Sequence, residues 1–278
     1  MMGDGRQSRI DAVDAEMRRR LLPDAAVEAI DEWWHRRKHA DGNSVAGHTN
    51  IYRPDRWVGV APWPASLADR GSPGEASVTR EQVVESARTA AGSGRWQELV
   101  VACYVWGWGK RGTRAGSGPT LLREHVLPSA ARLDKALADA VRALRESRPE
   151  QAYQVLDQAR ITQFGPSFFT KFLYFADCAL PGTPGPDALI LDTTLARTLG
   201  RQARAVGAEL GVDPNGGLAD HAWGKDGRRR RWSSHRYCVY LTWMAAASRQ
   251  LADAVAGWPE DGRPDLLELA LFQGAWQG

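Results

Sequence analysis

The sequence predicts an all-α fold whose helices pack as two lobes around a cleft. Three observations carry that expectation. Apolar residues recur at spacings of three and four through most of the 278-residue chain, and that is the period of a helix. No set of alternating segments reads as a sheet. No repeat of about 20–50 residues marks a solenoid.

The elements follow in order. Residues 10–22 and 24–38 carry the helical period. Residues 41–74 are rich in Gly, Pro, Asn and Trp, with Pro54, Pro62, Pro64 and Pro73, and read as a long irregular connection with room for a short extended piece. Ser77 or Thr79 is the candidate cap of the next helix, with Glu81 or Gln82 close behind. That helix reaches about Ala91, and the run Gly92, Ser93, Gly94 ends it. Residues 96–106 form a further apolar helix, which the glycine-rich run 107–112 is expected to break. Residues 127–147 are amphipathic, Pro149 opens a helix to about Arg160, and a second follows over 166–178. Residues 180–186 are a Pro/Gly loop. Leu189, Ile190 and Leu191 then lead to Asp192, which opens a helix to about Val206. Residues 210–231 read mostly as loop. Ser233 or Ser234 starts a long helix to about Val255, and 265–272 is a last short one. On this reading residues 1–75 are N-terminal helices with an irregular connection. Residues 76–278 are a helical core, with a hairpin at 150–178 and C-terminal helices packing back.

Composition narrows the class. Hydrophobic residues make up 43% and charged residues 25%, as in ordinary globular proteins. No stretch approaches the roughly 18–20 apolar residues that span a bilayer. Residues 1–20 are polar and charged, without the apolar core of a secretory signal. A cytoplasmic monomer without a membrane partner is expected. Cys103, Cys178 and Cys238 are odd in number and far apart, so neither a disulfide framework nor a zinc or iron–sulfur site is expected. No metal and no cofactor are predicted, and the thiols read as buried and inert.

The net charge of +3 is unevenly spread. Lys225, Arg228, Arg229, Arg230, Arg231 and Arg236 stand against the single Asp226, and Lys110, Arg111 and Arg114 cluster among glycines. Such clusters suit phosphate contacts, although a solvated loop gives the same pattern. Twelve tryptophans can stack bases or fill a core, and composition does not separate these uses.

The most informative stretch is 151–199, which reads helix, turn, helix, loop, apolar run, Asp, helix. In the turn Ile161-Thr162-Gln163-Phe164-Gly165-Pro166-Ser167, Gly165 can take a positive φ and Pro166 suits the first helical position. Backbone N–H groups at that helix start make an anion site that fits a DNA phosphate, with Gln163, Gly165 and Ser167 as its residues. The helix then surrounds one lysine, Lys171, with Phe168, Phe169, Phe172, Leu173, Tyr174 and Phe175. A lysine there snorkels, finds a partner or loses its charge. Asp192 follows three apolar residues and reads first as an N-cap. A carboxylate held that way stays ionised and points where the cap sends it.

A hairpin, a helical lysine and an Asp about twenty residues later resemble the helix-hairpin-helix DNA glycosylases. Their Asp segment reads apolar-Asp-Thr-x-apolar-x-Arg. Here it is Leu191-Asp192-Thr193-Thr194-Leu195-Ala196-Arg197, with Asp192 lying 21 residues after Lys171. The family's hairpin, Leu-Pro-Gly-Val-Gly-x-Lys, is reduced to Gly165, and Lys171 lies six residues beyond it. An aromatic-rich lysine helix without the double glycine is similar to the archaeal 8-oxoguanine glycosylases. The specific match covers about fifty residues.

The resemblance implies a two-lobed glycosylase fold and base excision from double-stranded DNA carrying a modified or damaged base. Lys171 would be the amine nucleophile of a Schiff-base (AP lyase) reaction, and Asp192 the carboxylate that assists. Lys171 must be neutral to attack, and the phenylalanines around it are the expected low-dielectric source of a lowered pKa. Arg197, Lys110, Arg111, Arg114, Arg229 and Arg230 join the hairpin residues as expected DNA contacts. Excision requires flipping the base, which costs a few kcal/mol. Trp106, Trp108, Trp243 and Phe272 are the candidates for the base pocket, with Trp232 a further candidate for offsetting that cost. Two other readings stay open. The substrate could be a bulky modified base of bacteriophage DNA, removed in defence. Alternatively, the chain could be a helical DNA-binding module without catalysis.

Overall fold

The computed structural model describes residues 4–38, 45–110, 117–180, 186–226, 229–230 and 232–278. It is predominantly helical and divides into two compact units. Met1–Asn43 and Leu191–Gly278 form one, and Ser44–Ile190 form the other.

The unit built from the two chain ends holds α1 (Asp4–Arg20), α2 (Asp24–Lys38), α9 (Thr193–Glu209), α10 (Gly217–Trp223), α11 (Ser234–Ala254) and α12 (Pro264–Phe272). Helix α1 packs on α9, α10 and α11, while α12 packs on α2, α9 and α11. The buried stripe of α1 is Ile10, Val13 and Met17, at the spacing that puts side chains on one helical face. Gln250 of α11 holds the link between α1 and α2 by serving both backbone groups of Leu22. Its Oε1 accepts from the N–H at 2.9 Å, and its Nε2 donates to the carbonyl at 3.0 Å.

Helix α10 falls within residues that read as loop. Its start is held by Asp213, a buried carboxylate that accepts the N–H groups of Leu218 and Ala219 at 3.0–3.1 Å. That cap lies four residues outside the helix, so the usual one-residue cap signal is missing. The short strands β3 (Lys225–Asp226) and β4 (Arg229–Arg230) follow as an antiparallel pair.

The central unit opens with β1 (Thr49–Tyr52), which pairs antiparallel with β2 (Ala76–Thr79) from Thr49↔Thr79 to Tyr52↔Ala76. Strand β1 is the extended piece that the irregular connection had room for, whereas β2 lies beyond that connection and takes in Ser77. β2 runs straight into α3 (Arg80–Ser93), capped by Thr79 and Gln82 in a reciprocal capping box. Then come α4 (Trp96–Trp108), α5 (Gly118–Leu121), a π-helical turn over Leu122–Val126, α6 (Ala130–Arg145), α7 (Pro149–Ala159) and α8 (Pro166–Cys178). Helix α8 packs against α3, α4, α6 and α7, and Phe169 to Asp177 form an unbroken buried run on it. A helix that is apolar on every side belongs in a core.

Two expectations are corrected here. Helix α4 continues through Gly107 to Trp108 and does not break before it. Of the three thiols, only Cys103 is buried, since Cys178 is half-buried and Cys238 exposed. Among the described residues, no helix is long and apolar enough to cross a membrane.

Candidate active site

Lys171 lies on α8 in the central unit and is 6% exposed. Its Nζ donates to the Ser167 carbonyl at 2.7 Å, one turn back, and stands 5.6 Å from the centroid of the Phe168 ring. Phe168 is itself held in a stack. The Tyr104 ring lies 4.0 Å away at 11°, and the Trp108 ring 5.7 Å away at 21°. Both come from α4, whose residues 104 and 108 are four apart and share a face. Burial pushes the Cys103 thiol well above its ordinary range, with the Lys171 charge acting against that rise. The amine therefore occupies an aromatic, largely dry niche between α4 and α8.

The hairpin turn is tied to the same place. The Tyr104 hydroxyl, whose own pKa burial raises, donates to the Gln163 carbonyl at 2.6 Å. The left-handed positions of the turn are Arg160 (φ 48°) and Gln163 (φ 66°). Gly165 is extended at φ −87°, ψ −179°, contrary to the expected positive φ. Its carbonyl accepts the N–H groups of Phe168 and Phe169 at 2.8 and 3.0 Å, and Pro166 occupies the first helical position. Gln163 and Gly165 are exposed and Ser167 is half-buried. The Ser167 Oγ is buried and finds no hydrogen-bond partner among the described residues.

Asp192 belongs to the unit formed by the chain ends. It is half-buried and caps α9, with Oδ1 accepting from Thr194 N at 2.9 Å and Leu195 N at 3.1 Å. Both cap bonds fall on Oδ1, so Oδ2 takes no part in the cap. The apolar run before it, Leu189 to Leu191, is buried. Arg197, exposed one turn into α9, borders a cavity of about 550 Å³ with Thr193, Arg201, Arg204, Asp220 and Trp232.

One residue of this region escaped the sequence reading. Asp177, at the buried end of α8, accepts the N–H groups of Asp187 and Ala188 on Oδ2 at 2.7 and 2.9 Å. It clamps the segment that leads towards Asp192. Burial raises its pKa to about 6, against the lowering effect of those two N–H groups. A carboxylate inside an apolar helical run was the available signal.

The basic residues divide. Lys110 is exposed and pairs with Glu75 at 2.5 Å. Arg111, Arg114, Arg228 and Arg231 lie outside the described residues. Arg229 and Arg230 form β4, opposite Asp226 and Lys225 respectively. Arg236 departs from the phosphate-contact pattern. It is 5% exposed, donates to both Asp14 oxygens at 2.7 and 2.8 Å, and stacks 4.9 Å over Trp223.

The aromatic candidates also divide. Trp106 is buried in the core of the central unit, its N–H directed at the His48 carbonyl at 3.3 Å. Trp108 is half-buried and borders a small recess with Arg53, Arg56, Lys110 and Ser117. Trp243 is buried and lines a cavity of about 190 Å³ within the other unit, beside Leu199, Trp223 and Tyr240. Trp232 is buried and donates to the Trp223 carbonyl at 3.0 Å. Phe272 is half-buried at the end of α12. Asp11, Asp14 and His235 bring ligand atoms within 4.8 Å of one another. However, both Asp14 oxygens already accept from Arg236, and Asp11 accepts from Gln7 at 2.8 Å.

Compared with known proteins, residues 43–272 match the family model described as "Putative 8-oxoguanine DNA glycosylase OGG-like protein". No curated protein and no solved structure matches the chain.

Proposed function

The chain belongs to this family of 8-oxoguanine DNA glycosylase-like proteins, and from that premise we propose that it removes a modified base from double-stranded DNA with Lys171 as nucleophile and Asp192 as the assisting carboxylate. The observation that carries the reading is the Lys171 niche. A lysine amine held among aromatic side chains and shielded from water is placed as a nucleophile is.

The chemistry runs as follows. Positive charge grows on the flipped nucleotide's sugar as the bond from C1′ to the base weakens, and the Asp192 carboxylate stabilises it. The amine lone pair bonds to C1′, and the base leaves with the electron pair of the broken bond and a proton. Opening of the sugar ring leaves a Schiff base between Lys171 and C1′. Loss of a proton from C2′ then expels the 3′ phosphate and nicks the strand. The cap at Asp192 supports its part, because the two N–H groups on Oδ1 fix the carboxylate at the start of α9 and leave Oδ2 outside the cap. Gln163, Gly165 and Ser167 at the start of α8, with Arg197 and the basic residues of the 110–114 and 225–231 stretches, are the proposed phosphate contacts. Trp108, Trp243 and Phe272 remain the proposed base contacts. An oxidised purine of the 8-oxoguanine type is the first substrate to test, followed by bulky modified bases.

The test is a borohydride trap on duplexes carrying different lesions. Wild type should form a covalent adduct, and Lys171→Gln should form none while keeping its DNA affinity. Asp192→Asn should keep the fold, because Asn caps about as well as Asp, and should lose roughly 10²-fold or more in excision. Excision without an adduct would make water the nucleophile. Neither excision nor adduct on any lesion would favour a binding module.

A further inference from the structure

Glycine costs a helix about 1 kcal/mol relative to alanine, so a glycine inside a helix needs a reason. Gly107 sits one residue from the end of α4. The turn does not require it, because the left-handed residue that ends the helix is Gly109, at φ 57°. The reason is space. A Cβ on Gly107 would fall 2.9 Å from Lys171 Cε, 3.0 Å from Lys171 Cδ and 3.4 Å from a Phe168 ring carbon. The outer half of the lysine side chain thus crosses bare backbone of α4 on its way to the Ser167 carbonyl.

The neighbours decide what would give way. Phe168 is held between the Tyr104 and Trp108 rings, and Tyr104 is pinned through its hydroxyl to Gln163. The Lys171 side chain has freely rotating outer bonds, and its amine is anchored by the bond to Ser167. An added methyl group therefore displaces the amine and leaves the rings in place.

We propose that Gly107 is a positioning residue for Lys171, its missing Cβ fixing where the amine sits. That the amine so placed attacks DNA rests on the function proposed above, whereas the positioning itself does not. The expectation has an unusual sign, because Gly107→Ala removes a helix penalty and should leave stability equal or higher while harming chemistry. A misplacement of about 1 Å at a reacting group costs on the order of 10²-fold.

The experiment has two arms. In the first, full-length wild type and Gly107→Ala are labelled with acetic anhydride across pH, and modification of Lys171 is read by peptide mass spectrometry against exposed Lys135. A several-fold change in the relative rate for Lys171, or a shifted midpoint, is the expected result. In the second, Gly107→Ala is made in wild type and in Lys171→Ala, and stability is measured for all four proteins. Gly107→Ala should stabilise more when the lysine chain is gone, as coupled neighbours require. If Gly107→Ala fails to fold alone, recovery in the Lys171→Ala background supports the proposal, and no recovery overturns it. Unchanged labelling together with an additive cycle also overturns it. On the borohydride trap, Gly107→Ala should form adduct about 10- to 100-fold more slowly with unchanged DNA affinity. A wild type that forms no adduct while the labelling still shifts removes the proposed chemistry and leaves the positioning role intact.

Discussion

Among the described residues of the central unit two cations are buried, and their surroundings differ. Arg80, the first residue of α3, has its guanidinium carbon 5.2 Å from the Trp106 ring and 5.1 Å from the Tyr174 ring. It is 1% exposed. Lys171 on α8 stands 5.6 Å from the Phe168 ring, and its amine donates to the Ser167 carbonyl. A guanidinium keeps its charge at any ordinary pH and is flat enough to fill a slot between two rings. An ammonium is compact and can give up its proton when water is withdrawn. The same unit therefore contains a permanent charge set against two rings and an amine of a type that can titrate. The first arrangement suits structure and the second suits chemistry.

The comparison is most easily broken at Arg80. Arg80→Ala opens the slot between Trp106 and Tyr174 and should cost about 3–5 kcal/mol, seen by calorimetry as a fall in Tm of roughly 10 °C. A loss under about 1 kcal/mol would mean that the ring sandwich does not grip.

Asp177 sharpens the contrast with a buried anion on the same helix as Lys171. Its folded pKa of about 6 lies above the ordinary carboxylate value, so the native state holds its proton more tightly than the unfolded chain does. Its contribution is then most favourable at low pH, falls as pH rises from about 4 to about 6, and is flat above that. The loss across this window is about 2–3 kcal/mol. Asp177→Asn keeps an oxygen for the Asp187 and Ala188 N–H groups and should remove that slope. Denaturant titrations at pH 4, 5, 6 and 7 would show it, and an unaltered slope would assign it to another group.

The smallest effect is expected at Lys171 itself. Lys171→Met replaces a buried amine by an apolar chain of similar length and should leave stability unchanged or raise it by about 1 kcal/mol. Parallel urea unfolding of the two proteins measures it. A loss above about 2 kcal/mol would show that the amine is gripped as firmly as Arg80, and the distinction between the two sites would fall.

Local signals in the chain were read well, and residues show why. Thr79 with Gln82, Asp192 with Thr194 and Leu195, and Ser233 with Arg236 N all form caps where the sequence proposed them. Each cap is an interaction across two or three residues. The Lys171 helix was legible for a similar reason, since a run of aromatic residues around one lysine marks a buried helix whatever surrounds it. Signals that depend on distant partners were misread. Arg236 reads in sequence as part of a basic patch, but its partner is Asp14, more than two hundred residues away in the chain. Gly107 looked like a helix breaker because its neighbours in sequence are glycine-rich, while its neighbours in space are Lys171 and Phe168.

The sequence by itself determined most of the helices, the caps of α3, α9 and α11, the hairpin before α8 and the family pattern of Lys171 with Asp192, because these depend on composition and on spacings within a few turns. Tertiary structure alone decided that residues 1–43 join 191–278 in one unit. It also decided that Asp213 starts α10, that Arg80 lies between two rings, and that the Lys171 side chain crosses a bare stretch of α4. Those outcomes rest on atoms brought within about 3–5 Å by packing, and no periodicity along the chain records which distant residue will supply them.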